Sequence, residues 1–140
     1  MVYLLDSSAI AVLLKRLGGS AVKYFAGVYT LDLAYYELGN ILWKECALMK
    51  LINEKEAVNK VKYIAKLLKT MNIESIKSEK DLEGTMALAV KLKLTFYDAS
   101  YLYVAKKKNL ILVTEDHELR EKSVKENIEA ITVDEYIKQK

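Results

Sequence analysis

The 140-residue chain has no proline, one cysteine, one histidine and one tryptophan, and only two of its aromatic residues are phenylalanine. The single thiol, Cys46, cannot close an intramolecular disulfide. It also has no Cys or His partner at zinc spacing, so disulfide scaffolds and thiolate zinc sites are excluded. No stretch approaches the ~18 uninterrupted apolar residues that a membrane helix needs. The apolar N-terminal run Met1–Leu14 has no basic residue ahead of it and is interrupted by Asp6, which is unlike a secretion signal. A soluble, cytoplasmic protein with no membrane partner is expected. Gly18-Gly19 is not followed by the Gly-Lys-Ser/Thr of a phosphate loop. There is no Pro/Gly/Ser-rich linker, internal repeat or low-complexity tract, so residues 1–140 are expected to form one domain.

What is present is an ordinary globular balance, with 52% apolar and 29% charged residues, which argues against disorder. The net charge of +3 permits a nucleic-acid partner without identifying one. Short apolar runs alternate with longer helical patterns. Strands are expected at Val2–Leu5, Val28–Leu31, Ile73–Ile76, Leu110–Val113 and Ala130–Val133. Helices are expected from the turn after Asp6 to about Leu14, from Asp32 to about Leu48, and from Asn53, with Val58, Val61, Ala65 and Leu68 on one face. Three more should run from Ser78 to about Lys93, from Asp98 to about Lys107 and from Asp116 to about Lys125. Asn53 with Glu56, and Ser78 with Asp81, are spaced as capping boxes, and Asp32 is placed as an N-cap. This order predicts an α/β fold, a mostly parallel sheet of four to five strands flanked by helices. Ligands in such sheets sit beyond the carboxyl ends of the strands, where the strand order switches.

That rule gives four acids a common address. Asp6 directly follows the first strand, and Asp116 lies three residues past Val113. Asp98 begins a helix, and Glu37 lies one turn into another, with Asn40 and Lys44 on its face at i+3 and i+7. Converging carboxylates with no matching basic cluster repel one another unless a cation sits among them, and Mg²⁺ or Mn²⁺ prefers such hard oxygen ligands. The competing explanation is helix capping, which suits Asp6, Asp98 and Asp116 individually but not Glu37. His117, beside Asp116, is expected to be incidental, and Lys106-Lys107-Lys108 to be a solvated face.

The local contexts narrow the choice. The segments Leu4-Leu5-Asp6-Ser7-Ser8-Ala9, Glu37-Leu38-Gly39-Asn40, Tyr97-Asp98-Ala99-Ser100-Tyr101-Leu102-Tyr103-Val104-Ala105 and Leu112-Val113-Thr114-Glu115-Asp116 follow one another in order. Together they resemble the PIN-domain ribonucleases, and the chain looks most like the VapC-type toxins of toxin–antitoxin pairs. The resemblance covers nearly the whole chain and implies a single PIN-type, Rossmann-like domain. It further implies a Mg²⁺- or Mn²⁺-dependent endoribonuclease whose catalytic and metal-binding residues are Asp6, Glu37, Asp98 and Asp116. Ser8, Asn40 and Thr114 would be supporting polar groups and Lys44 an RNA contact. Glu115 competes with Asp116 for the fourth position. RNA as substrate, an antitoxin protein as partner and a homodimer or higher assembly are implied as well. A housekeeping RNA-processing PIN nuclease and a non-catalytic PIN-like interaction module are the alternatives. A haloacid-dehalogenase-like phosphatase would need an Asp where Ser8 stands, and a response-regulator receiver would need a phosphoacceptor Asp where Lys77-Ser78-Glu79 follows Ile76.

Overall fold

The computed structural model describes residues 2–140. Five strands form one parallel sheet: β1 (Tyr3–Leu5), β2 (Tyr29–Leu31), β3 (Asn72–Glu74), β4 (Ile111–Val113) and β5 (Ala130–Ile131). Their order across the sheet is β3-β2-β1-β4-β5, with Leu4 opposite Tyr29 on one side and Leu112 on the other. The chain winds outward from β1 to β3 and then returns to place β4 on the other flank of β1. The strand-order switch therefore lies at the carboxyl ends of β1 and β4, where Asp6 and Asp116 follow.

Helices cover both faces: α1 (Ser7–Leu17), α2 (Leu33–Trp43), α3 (Glu54–Leu68), α4 (Glu79–Leu92), α5 (Phe96–Lys108), α6 (His117–Lys125) and α7 (Val133–Gln139). Alternation along each strand divides the core in two. Tyr3, Leu5 and Val113 pack against α1, α2, α3 and α7, whereas Leu4 and Leu112 pack against α4, α5 and α6. No helix among the described residues is long and apolar enough to cross a membrane.

Several local expectations are corrected. Helix α1 runs to Leu17 rather than Leu14, because Gly18, at a φ of 52°, turns the chain and returns its N–H to Leu14 O. Asp32 caps nothing; it adopts helical dihedrals and its side chain makes no cap bond. Ser78 accepts from Asp81 N–H, but no reciprocal bond forms, because Asp81 Oδ1 instead accepts from Tyr103 Oη at 2.8 Å and Lys107 Nζ at 2.9 Å. The Asn53–Glu56 box does form, with bonds of 2.8 and 3.2 Å. On α3, Val58 and Val61 are exposed, and the buried positions are Ile64, Leu67 and Leu68, because only its C-terminal part reaches the core. The last strand ends at Ile131, and α7, absent from the sequence reading, begins two residues later.

Packing of α4 against α5 holds the helix that carries Asp98. Gly84 allows the close approach: a Cβ there would stand 2.3 Å from Tyr103 Cε1. The Asp81 bond to the Tyr103 hydroxyl restrains the ring from moving aside. Gly84→Ala is therefore expected to destabilise the protein by about 1–2 kcal/mol, although alanine gains ~1 kcal/mol in helix propensity. Chemical denaturation would measure it; an alanine variant more stable than the wild type would contradict the packing argument.

Candidate metal centre

Asp6 is built into the end of the central strand. Its backbone N–H donates to Val113 O at 3.2 Å, joining the loop after β1 to β4. Its side chain is the N-cap of α1, with Oδ1 accepting from Ala9 N–H at 2.9 Å and from Ser8 Oγ at 2.7 Å. The other oxygen, Oδ2, accepts from the Thr114 hydroxyl. Ser8 and Thr114 each accept a backbone N–H in turn, from Glu115 and Asp116, both at 3.1 Å. Each hydroxyl has one proton and directs it at Asp6, so the 3.3 Å separation of Ser8 Oγ and Thr114 Oγ1 adds no further bond. Arg120 fixes the same loop from α6, donating to Thr114 O at 2.7 Å.

Capping proves to be half of the explanation for the acids. Asp116 caps α6, with Oδ1 accepting from Leu119 N–H at 3.1 Å. Asp98 does not cap α5; Thr95 does, accepting from Asp98 N–H at 3.1 Å, which leaves the Asp98 carboxylate in the first turn and free of that task. Glu37 lies within α2, and its Oε1 accepts from Tyr101 Oη at 2.8 Å. A carboxylate has two oxygens, so capping through one is compatible with metal binding through the other.

The electrostatics link the four. Asp6 is 5% exposed, and burial pushes its carboxyl up to about 6 against three hydrogen bonds that favour the anion, with Asp98 adding to the rise. Asp98 is also raised, first by partial burial and then by the charges of Asp116, Glu37 and Glu118. Among the described residues, none of the four carboxylates has a Lys, Arg or His ion-pair partner. The lysines expected on a solvated face are paired elsewhere: Lys106 with Glu126, Lys107 with Asp81 and Lys108 with Glu74. His117 points along α6 to Glu121.

A divalent cation fits this donor set: hard oxygens, uncompensated negative charge and a buried central carboxylate. The ligands are not preassembled into a closed shell. Among the described residues, no three acidic, His or Cys side chains stand at ligating spacing. Mg²⁺ takes only one or two carboxylates directly and fills its remaining positions with water, so a closed protein shell is not required. Asn40 is exposed further along α2 and Lys44 just past its last residue, ~10 Å from Glu37 along the helix axis, and neither is tied into the network.

Tyr101, which is not among the residues expected from the sequence, joins the candidate site through its bond to Glu37; it lies three residues after Asp98 on the same face of α5. It is buried, its hydroxyl is held well above the usual tyrosine range by burial and by Glu37, and it therefore stays a donor. Tyr101→Phe keeps the ring in the core and removes only that bond. It is expected to lower turnover about tenfold with little change in melting temperature; unchanged turnover would exclude a positioning role.

Residues 3–125 match the PIN domain family. The chain belongs to that family. This PIN domain is 36% identical over 121 residues to a Pyrobaculum aerophilum protein named Exonuclease VapC9, covering 86% of this chain and 85% of that one. It is also 36% identical over 127 residues to Ribonuclease VapC3 of the same organism, covering 87% and 95%. The crystal structure of PAE2754 from P. aerophilum superposes with a TM-score of 0.79 at 32% identity, over 99% of this PIN domain and 94% of that chain. A toxin–antitoxin complex from Klebsiella pneumoniae shares the fold alone, at 20% identity and a TM-score of 0.62 over 84% and 89% of the chains.

Proposed function

We propose that this PIN domain protein is an endoribonuclease dependent on Mg²⁺ or Mn²⁺, and that it is the toxin of a toxin–antitoxin pair. The observation that carries the reading is four carboxylates without a basic partner at the strand-order switch, with the charge of Asp98 acting on buried Asp6 and those of Asp116 and Glu37 acting on Asp98. When bound, the ion would supply an activated water and stabilise the leaving oxygen of the phosphodiester. Asp6 and Asp98 would be its main ligands, with Asp116 and Glu37 acting directly or through water. Ser8 and Thr114 orient Asp6, and Tyr101 orients Glu37. Asn40, exposed on the Glu37 face of α2, and Lys44, exposed just past its end, are suited to contact RNA.

The antitoxin reading draws on the Klebsiella pneumoniae neighbour, a toxin–antitoxin complex, and on a cleft of about 250 Å³ between α1, α2 and α3. Leu14, Leu38, Ile41, Leu42 and Ile64 line it, with Lys15, Glu45 and Lys60 at the rim, which suits a segment with one apolar face. Self-association is also part of the proposal. Leu82, Met86 and Val90 lie exposed along α4 at i, i+4 and i+8, an apolar strip of the kind that association covers.

The test is cleavage of a labelled single-stranded RNA by the purified protein. Internal cuts are expected in Mg²⁺ or Mn²⁺, lost on chelation and restored by re-addition. Mononucleotides released from one end alone would replace the endonucleolytic reading with an exonucleolytic one. Cleavage that survives chelation would overturn the metal assignment. Co-purification of a small DNA-binding partner encoded beside the gene would favour a toxin over a housekeeping RNA-processing enzyme.

A further inference from the structure

We infer that Glu115 is a positioning residue which ties the C-terminal helix to the acidic centre and thereby sets the orientation of Asp6; this rests on the metal-nuclease reading above. Sequence alone leaves Glu115 and Asp116 as rivals for one ligand position. The geometry gives them different tasks. Glu115 Oε1 accepts the backbone N–H of Val133 at 2.9 Å, while the Glu115 N–H donates to Ser8 Oγ at 3.1 Å. Ser8 then donates its proton to Asp6 Oδ1 at 2.7 Å. An unbroken run of hydrogen bonds therefore joins Val133 to Asp6, residues 127 positions apart in the sequence.

The far end of that run is firmly held. Val133 is the first residue of α7 and fully buried, and Tyr136, one turn on, is also buried, with its hydroxyl donating to Tyr24 O at 2.6 Å. Thr132 and Glu135 cap the same helix reciprocally, and Thr114 N–H donates to Ile131 O at 3.0 Å just before it. The loop from Thr114 to Asp116 thus takes its position from β5 and α7. Swinging the Glu115 carboxylate toward an ion would strand the Val133 N–H, whereas Asp116 can face the centre while still capping α6. Partners of ligating groups at this remove typically alter metal affinity or activity by 10–100-fold when they are lost.

Three substitutions in the full chain test this, read by calorimetric titration with Mn²⁺ and by kcat and KM on RNA. Glu115→Gln retains an oxygen acceptor and is expected to stay within about threefold of the wild type in Mn²⁺ affinity and kcat. Glu115→Ala is expected to lower both about tenfold with KM unchanged. Val133→Pro deletes the N–H at a position where proline is accepted, since Val133 opens the helix and Thr132 is already extended at φ −83° and ψ 168°. It should reproduce the Glu115→Ala defect, and the double variant should be no worse than either alone. Glu115→Gln losing Mn²⁺ affinity as severely as Asp116→Asn would make Glu115 a ligand and overturn the inference. Glu115→Ala and Val133→Pro that lower the melting temperature but leave Mn²⁺ affinity and kcat at wild-type values would reduce the bond to a structural tie, which also overturns it. A wild type that neither binds Mn²⁺ nor cleaves RNA would overturn the nuclease reading together with this one, and the wild-type titration alone identifies that case.

Discussion

Metal-free protein carrying Asp6→Asn is expected to unfold at a higher temperature than the wild type at pH 8, while its RNA cleavage is lost. The cause is the burial that raises the Asp6 carboxyl from 3.8 to about 6. The folded state holds that proton more tightly than the unfolded chain does. The stabilisation from protonated Asp6 is therefore complete below about pH 3.8 and is lost as the pH rises through about 6. A shift of this size corresponds to roughly 2–3 kcal/mol. Asp98, also raised, adds a loss of the same sign. Asparagine cannot ionise, so the variant escapes the Asp6 part of the loss, less whatever its amide gives up in bonding to Thr114. A gain on the order of 5 °C follows for a domain of this size. The gain should vanish near pH 4 and shrink when Mg²⁺ or Mn²⁺ is added, because the ion stabilises only the wild type. Thermal unfolding in chelator at pH 4 and pH 8 reads all of this. A variant less stable than the wild type at pH 8 would mean that the buried carboxylate is well compensated after all.

The second large effect belongs to Asp98. Its charge acts on Asp6 and is itself acted on by Asp116 and Glu37, so it stands electrically between the other three acids. It has no capping task, because Thr95 performs it. Asp98→Asn should therefore leave α5 intact and reduce cleavage by on the order of a thousandfold, as expected when a ligand of a water-activating ion is lost. Far-ultraviolet circular dichroism should be superimposable on that of the wild type. Cleavage within tenfold of the wild type would remove Asp98 from the site and break the link between Asp6 and Glu37.

The sheet and three of the acid placements were legible because each rests on short-range rules. An apolar run followed at once by a polar turn places Asp6 and Asp116 at strand ends, and the alternation of strands and helices implies the crossovers that bring those ends together. Glu37 stood out because capping does not explain an acid at that point of a helix. Asp98 was legible as an acid near a helix start, but the helix begins at Phe96, and the capping that its position also allowed falls to Thr95. Thr95, three residues earlier, is an equally good cap, and which of two neighbouring candidates caps depends on where the preceding chain enters. Tyr101 could have been found from its i+3 spacing to Asp98; that its hydroxyl meets Glu37 on another helix depends on packing across the sheet. The α3 face was misjudged because periodicity reports where apolar residues lie around a helix, not how far along it the core extends. The signal for α7 was present as Thr132 with Glu135 three residues on, a capping box ahead of Tyr136 and Ile137. A strand expected to run through Val133 leaves no room for that helix, whereas the observed strand ends at Ile131. Once α7 is placed, Glu115 ceases to rival Asp116 and becomes the link between that helix and the centre.

Calorimetric titration of Mn²⁺ into the wild type and into Asp98→Asn tests most directly whether these acids hold a divalent ion. Binding to the wild type, weakened at least about tenfold in the variant, is the predicted result. Equal affinity in the two proteins would contradict it.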